Sequence, residues 1–261
     1  MTSPEARRPS VHGGYGWVPD LPDARDHLYA APPEFLSALP AQVDLRDQCP
    51  AVYDQGQLGS CTANAIGGAF EFDLLRQKAA DFVPSRLFIY YNERAAENTI
   101  SSDSGAQIRD GIKSVAKQGV CPESEWPYDI TQFTDKPSAP CYTDAQGHRV
   151  VSYQRVAQLL NQFKGCLANG DPFVFGFTVY ESFESDQVAK SGDAPMPGAG
   201  EKVLGGHAVM AVGYDDSTQR FLVRNSWGTG WGLGGYFTLP YAYLIDRSLA
   251  SDFWTLLTVA G

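Results

Sequence analysis

Basic residues are scarce: 20 lysines and arginines face 30 aspartates and glutamates, for a net charge of −10 over 261 residues. A nucleic-acid-binding surface needs a basic stripe, and nothing here offsets the carboxylates, so no nucleic acid partner is expected. No apolar run approaches the roughly 18 residues of a membrane-spanning helix, which argues against a membrane partner. Cysteine is sparse too. Cys49, Cys61, Cys121, Cys141 and Cys166 are too few to staple a chain of this length, and their odd number leaves at least one free thiol in the expected monomer. None forms a C-x-x-C, and no paired histidine lies nearby, so no structural zinc is expected, and the thiol chemistry read below needs no metal or organic cofactor. An N-x-[ST] glycosylation acceptor is also missing. The opening MTSPEARRPSVHGG lacks the 7–15-residue apolar core of a secretory signal, so a cytoplasmic location is the default expectation, with export left open.

What is present is an ordinary globular composition, 43% hydrophobic and 19% charged, long enough for one large domain or two closely packed halves. Six of the 17 prolines fall before residue 39, where they disfavour regular helix. Tyr15, Trp17, Tyr29 and Phe35 in the same stretch are poor choices for a solvated tail. Residues 1–38 therefore read as an extended arm whose aromatics, from about residue 12, pack on the body.

Beyond the arm, Ala63, Ile66, Phe70 and Leu74 form a helical stripe after Cys61. A second helix opens at Ser85, and a third carries Ile108, Ile112 and Val115 up to Gly119. VAQLLNQFKGCLANG reads as one more helix, ended by Gly170. FVFGFTVY, HAVMAVGY, RFLVRNSW and GYFTLP then read as strands. A long loop, SGDAPMPGAGEKVLGG, precedes His207. A helical half followed by a strand half predicts an α+β fold with a cleft where they meet.

Cys61 alone fits a packed thiol, half of a disulfide or a nucleophile. A thiol becomes strongly nucleophilic as thiolate, favoured by a helix N-terminus or a neighbouring imidazolium. Cys61 starts a helical stripe. Among the histidines, His12 and His27 belong to the arm, and His148 lies in the polar TDAQGHR. His207, between glycines and an apolar strand, is the sound partner. The hairpin HAVMAVGY–RFLVRNSW would bring Asn225 to its second ring nitrogen, with Trp227 shielding that bond. The Cys61 backbone N–H and the Gln55 side-chain amide would be oxyanion donors. Gly230-x-Gly232-x-x-Gly235 fits a dinucleotide fingerprint formally, but a strand-like run follows it instead of a helix.

QGQLGSC, GGHAVMAVGYDD and RNSWGTGWGLGGYF resemble the active-site segments of papain-type cysteine peptidases, and LPAQVDLRDQCPAVYDQG resembles the start of that family's domain. His207 follows Cys61 by 146 residues, within the family's usual spacing, and Asn225 by 164, somewhat beyond it. SCTANA and DLPDARD are phrased as in its bacterial branch. The resemblance implies a two-lobed papain-like fold over residues 39–261, with a helical lobe at about 50–145, a β-barrel-like lobe at about 146–261 and a groove between them. It implies a cysteine peptidase acting on peptide or protein through a Cys61–His207 thiolate–imidazolium pair and an acyl-enzyme. Asn225 then orients His207, Gln55 donates to the oxyanion and Trp227 is the shielding plate. Gly105 and Ala106 border the substrate groove, and Gly176, Gly205, Gly206 and Ala208 line a roomy specificity pocket. Residues 1–38 become a possible short pro-region that obstructs the groove. A transamidase or deamidase, or a peptide-binding pseudoenzyme, are the alternatives. Departures are plain: Leu58 stands where relatives carry a disulfide cysteine, its partner is missing around Asp103, and Thr62 replaces an aromatic. Cys121 and Cys141 either close a loop in the helical half or stay reduced.

Overall fold

The computed structural model describes residues 14–260. The stripe after Cys61 becomes helix α2 (Cys61–Gln77), in which every residue from Cys61 to Leu74 is buried. An α-helix covered all round has to lie inside the protein, and α2 packs on both the other helices and the sheet. The helices around it are α1 (Pro33–Ser37), α3 (Arg86–Ala96), α4 (Ile108–Gln118), α5 (Ala139–Ala145), α6 (Leu160–Ala168), α7 (Asp186–Ser191) and α8 (Tyr241–Ile245). Ser85 caps α3 as its position before the apolar run predicts, its hydroxyl accepting the Phe88 N–H at 3.1 Å. Helix α4 stops at Gly119, whose φ of 83° suits a residue without a side chain.

The strands are β1 (Leu28–Tyr29), β2 (Gln42–Asp44), β3 (Val150–Val156), β4 (Phe173–Tyr180), β5 (Val203–Asp215), β6 (Arg220–Arg224), β7 (Tyr236–Pro240) and β8 (Ala250–Val259). They form one sheet in the order β1-β3-β8-β4-β5-β6-β7, with β2 paired to β5. Only β1 runs parallel to its neighbour. The α+β class expected from the sequence holds. Among the described residues no pairing joins the sheet's ends, so the strand half is an open sheet and not a closed barrel. No helix there is long and apolar enough to cross a membrane.

Several boundaries differ from the sequence reading. Strand β5 begins four residues before His207, taking the end of the predicted loop into the sheet. Val156 belongs to β3, so α6 starts later than VAQLL suggests. Strands β3 and β8 carried no recognised signal. VVSYQRV exposes or half-exposes most of its residues, and the interior strand β8 breaks its apolar run with Asp252 and Thr255.

A phenyl cluster holds the sheet to α6. Phe163 lies 4.4 Å from Phe253 and 5.1 Å from Phe173 by ring centroids, and Phe175 stacks on Phe253 at 5.5 Å. Phe253 is at its centre, and Phe253→Ala leaves a cavity that the rigid strands cannot collapse into. Its expected cost is about 3–5 kcal/mol in chemical denaturation. A loss below about 1 kcal/mol would show that the cluster repacks freely.

Candidate active site

Cys61 is the first residue of α2, and the preceding Ser60 does not cap the helix with its side chain. The Ser60 hydroxyl instead meets the Tyr128 hydroxyl at 2.5 Å and the Asn64 amide at 3.1 Å. The helix N-terminus is thus left facing the cysteine. Cys61 is fully buried. That burial pushes its thiol up to about 12, while backbone N–H groups of Ala208, Gly16 and Thr62 act in the other direction.

His207 enters from β5, opposite Phe177 of β4. Its Nε2 lies 2.8 Å from Asn225 Oδ1, the contact expected from the hairpin. The same oxygen accepts the Ser226 N–H at 2.9 Å, so it is the acceptor and His207 Nε2 carries the proton. Nδ1 is left with its lone pair, and among the described residues it makes no hydrogen bond. The ring stacks on Trp227 at 4.8 Å and 24°. Burial lowers the imidazole to about 4 despite the opposing bond to Asn225. Burial of both groups therefore favours a neutral thiol beside a neutral imidazole over an ion pair.

Gln55 is locked between the segments. Its backbone N–H bonds Ser226 O at 2.9 Å, and its Oε1 accepts from the Ser226 hydroxyl at 2.6 Å. The amide Nε2 donates to Leu58 O at 2.9 Å and, across the groove, to Gly14 O at 2.8 Å. Asp103 links the Cys61 turn to the Gly105 segment without a covalent bond. Both its oxygens accept the Gly59 N–H at 3.0 Å, and it also accepts from the Tyr90 hydroxyl. Thr62 points its hydroxyl inward to the buried Glu93 at 2.6 Å, which is why a small polar residue fits there.

The remaining predicted residues surround residues 14–18. Ala106 receives Gly16 O on its N–H at 2.8 Å and returns its own carbonyl to the Val18 N–H at 3.0 Å. A side chain on Gly105 would overlap the Gly16 carbonyl, and Gly105 also sits at a φ of 71°. Tyr15 lies on Gly205, beside His207 and Trp227, and donates to Glu184. Trp17 lies over Gly176 and Gly206, where any β-carbon would strike its indole, and its N–H bonds Gly206 O at 3.0 Å. The indole Nε1 donates to Asp252 Oδ2 at 3.2 Å. Ala208 turns its backbone to Cys61. His27 and His148 are elsewhere, the first offering its carbonyl to Arg155 and the second packed on Phe82. His12 lies outside the described residues. Sequence reasoning placed Asp103 beside the groove without its bonds to Gly59 and Tyr90, and missed Asp252, Ser226 and Tyr128. Of these only Asp252 carried a signal, a lone carboxylate inside the apolar ASDFW.

The sequence model described as "Papain family cysteine protease" matches residues 39–244. The uncharacterized peptidase C1-like protein L477 of Acanthamoeba polyphaga mimivirus is 43% identical over 275 residues, spanning 96% of this chain and 88% of that protein. Cysteine proteinase 2 of Entamoeba histolytica is 28% identical over 209 residues, 77% of this chain and 63% of that longer protein. The crystal structure of xylellain, a cysteine protease from Xylella fastidiosa, matches with a TM-score of 0.91 and 46% identity over 98% of this chain and 99% of that one.

A thiol this deeply buried should react slowly. Iodoacetamide labelling of Cys61 at pH 7, followed by mass spectrometry, is expected to run at least about 100-fold slower than for a free cysteine. Labelling at the free-thiol rate would mean that water reaches the sulfur.

Proposed function

The chain belongs to the papain family of cysteine proteases, and on that footing we propose that Cys61 is the nucleophile of a peptide-bond hydrolase whose groove is occupied by residues 14–18 of its own chain. The observation that carries this reading is the His207–Asn225 bond, which assigns the proton to Nε2 and leaves Nδ1 as the base for the thiol. With a substrate in place of the arm, water and substrate dipoles reach the sulfur and the ring. The proton then moves from Cys61 to His207 Nδ1, and the thiolate attacks the peptide carbonyl carbon. The Cys61 N–H and the Gln55 amide take up the developing oxyanion. His207 next gives its proton to the leaving amine, and afterwards draws one from the water that hydrolyses the acyl-enzyme. Asn225 holds the imidazole through both transfers, and Trp227 keeps bulk water off that bond.

The arm fits the role of an internal blocker. Its Gly14 carbonyl takes the Gln55 amide, its Gly16 N–H faces the sulfur, and Trp17 fills the glycine-lined pocket. An N–H directed at the sulfur, in place of a carbonyl carbon, offers the nucleophile nothing to attack. Residues 26–37 serve a different purpose. Asp26 pairs with Arg109 at 2.7 Å and with Arg155 at 3.1 Å, Tyr29 and Ala31 are buried, and β1 completes the sheet edge. Deleting all of residues 1–38 would therefore remove core as well as the plug.

Cys61→Ala is expected to abolish cleavage of small peptide amides. Asn225→Ala should lower kcat/KM by roughly 10–150-fold, the value of a hydrogen bond to a charged group. Mass spectrometry of products distinguishes the alternatives, since a mass change on an intact chain would favour deamidation or transamidation over hydrolysis. Turnover that persists in Cys61→Ala would defeat the nucleophile assignment. For the arm, Tyr15→Ala combined with Trp17→Ala is expected to raise kcat/KM at least about 10-fold, because two buried aromatics are worth several kcal/mol. Unchanged kinetics in the folded double variant would make the arm a structural strap only.

A further inference from the structure

Away from the groove, tertiary structure brings two thiols together that are 20 residues apart in sequence. Cys121 follows α4 by three residues, and Cys141 lies in α5. Their sulfurs and a Glu125 carboxylate oxygen all lie within 4.8 Å of one another. Both are free and buried. Cys141 Sγ also meets Ser138 Oγ at 3.1 Å and faces Glu125 O at 3.7 Å.

The segment between them buttresses the groove. Tyr128 gives its hydroxyl to Gln55 O at 3.0 Å and meets Ser60 Oγ at 2.5 Å, so it touches both the residue before Cys61 and the proposed oxyanion donor. Glu123 pairs with Arg86 at 2.8 Å, and Arg86 in turn holds Asp54 O and Asn64 Oδ1, each at 3.1 Å. Cys121 O accepts the Ser85 N–H at 2.8 Å, and Trp126 O accepts the Ser85 hydroxyl at 2.7 Å. A cross-link at the ends of this segment would limit how far Tyr128 and Glu123 can leave their partners.

We propose that Cys121 and Cys141 are a redox pair that closes into a disulfide on reaction with a low-molecular-weight disulfide such as oxidised glutathione. One protein thiolate attacks a glutathione sulfur and expels one glutathione thiolate, giving a mixed disulfide. The second protein thiolate attacks the protein sulfur of that bond and expels the other glutathione. The two protein thiols lose their protons and two electrons, and two glutathione thiols are formed. A metal site is the weaker reading. A structural zinc takes four protein ligands, whereas among the described residues two thiols and the exposed Glu125 converge here.

The test uses the full chain as Cys61→Ala, so that its outcome does not depend on the proposed nucleophile. Incubation with oxidised glutathione is expected to lower the intact mass by about 2 Da, with peptide mapping joining Cys121 to Cys141. The thermal midpoint should rise by roughly 5–10 °C, from closing a loop of about 20 residues. Dithiothreitol should reverse both changes, and the same protein carrying Cys121→Ser and Cys141→Ser should show neither. Glutathione adducts alone, a link through Cys49 or Cys166, or a midpoint that stays put would overturn the proposal. So would stoichiometric zinc retained in a parallel incubation with zinc chloride, if the protein then resists oxidation.

Discussion

Dryness at the first turn of α2 governs this protein. A cysteine at a helix N-terminus is ordinarily placed to ionise, yet burial raises the Cys61 thiol to about 12 and lowers His207 to about 4. The two shifts have one cause, because each charged form would lose its hydration with nothing equivalent to replace it. The geometry for nucleophilic chemistry and the electrostatics for it are therefore separate conditions. Asn225, Ser226 and Gln55 supply the geometry through bonds to one another and to His207, and the arm adds its Gly14 carbonyl at the Gln55 amide. In the proposed reaction the electrostatics change when a substrate takes the place of residues 14–18.

Small residues are what allow that strip of chain to lie so close. Gly105, Gly176, Gly205 and Gly206 each present bare backbone where a side chain would collide with Tyr15, Gly16 or Trp17. Backbone bonds at Ala106 and Gly206 then hold the strip in an extended form. The same surface would accept an extended peptide, since main-chain pairing does not depend on which residues supply it. Buried carboxylates fix the C-terminal end of the strip and the chain beyond it. Asp252 receives both the Trp17 indole and the Asp20 N–H, and Asp26 sits between Arg109 and Arg155.

Much of this was legible in the chain. The period of Ala63, Ile66, Phe70 and Leu74 specified α2 because a buried helix must present apolar groups at its turns. QGQLGSC, His207 and Asn225 pointed to one site because each residue type has a defined task beside a thiol. The strands β3 and β8 were less visible. Their alternation is broken by residues whose partners come from elsewhere in the fold, as with Asp252, which bonds the Trp17 indole and Arg155. The open sheet was equally hidden, since strand order depends on long-range pairing that no local pattern encodes.

By itself the sequence determined residue types, helix periods, the order of the candidate site residues and the presence of an aromatic, proline-rich arm. These are local properties, set by side-chain chemistry and backbone preference. Tertiary structure alone decided which surface the arm covers, that Gly14 O takes the Gln55 amide, that His207 carries its proton on Nε2, and that Cys121 meets Cys141. Each of these depends on groups distant in sequence meeting within a few ångströms in the folded chain. Burial and direction are properties of the assembled packing, and a string of residues does not contain them.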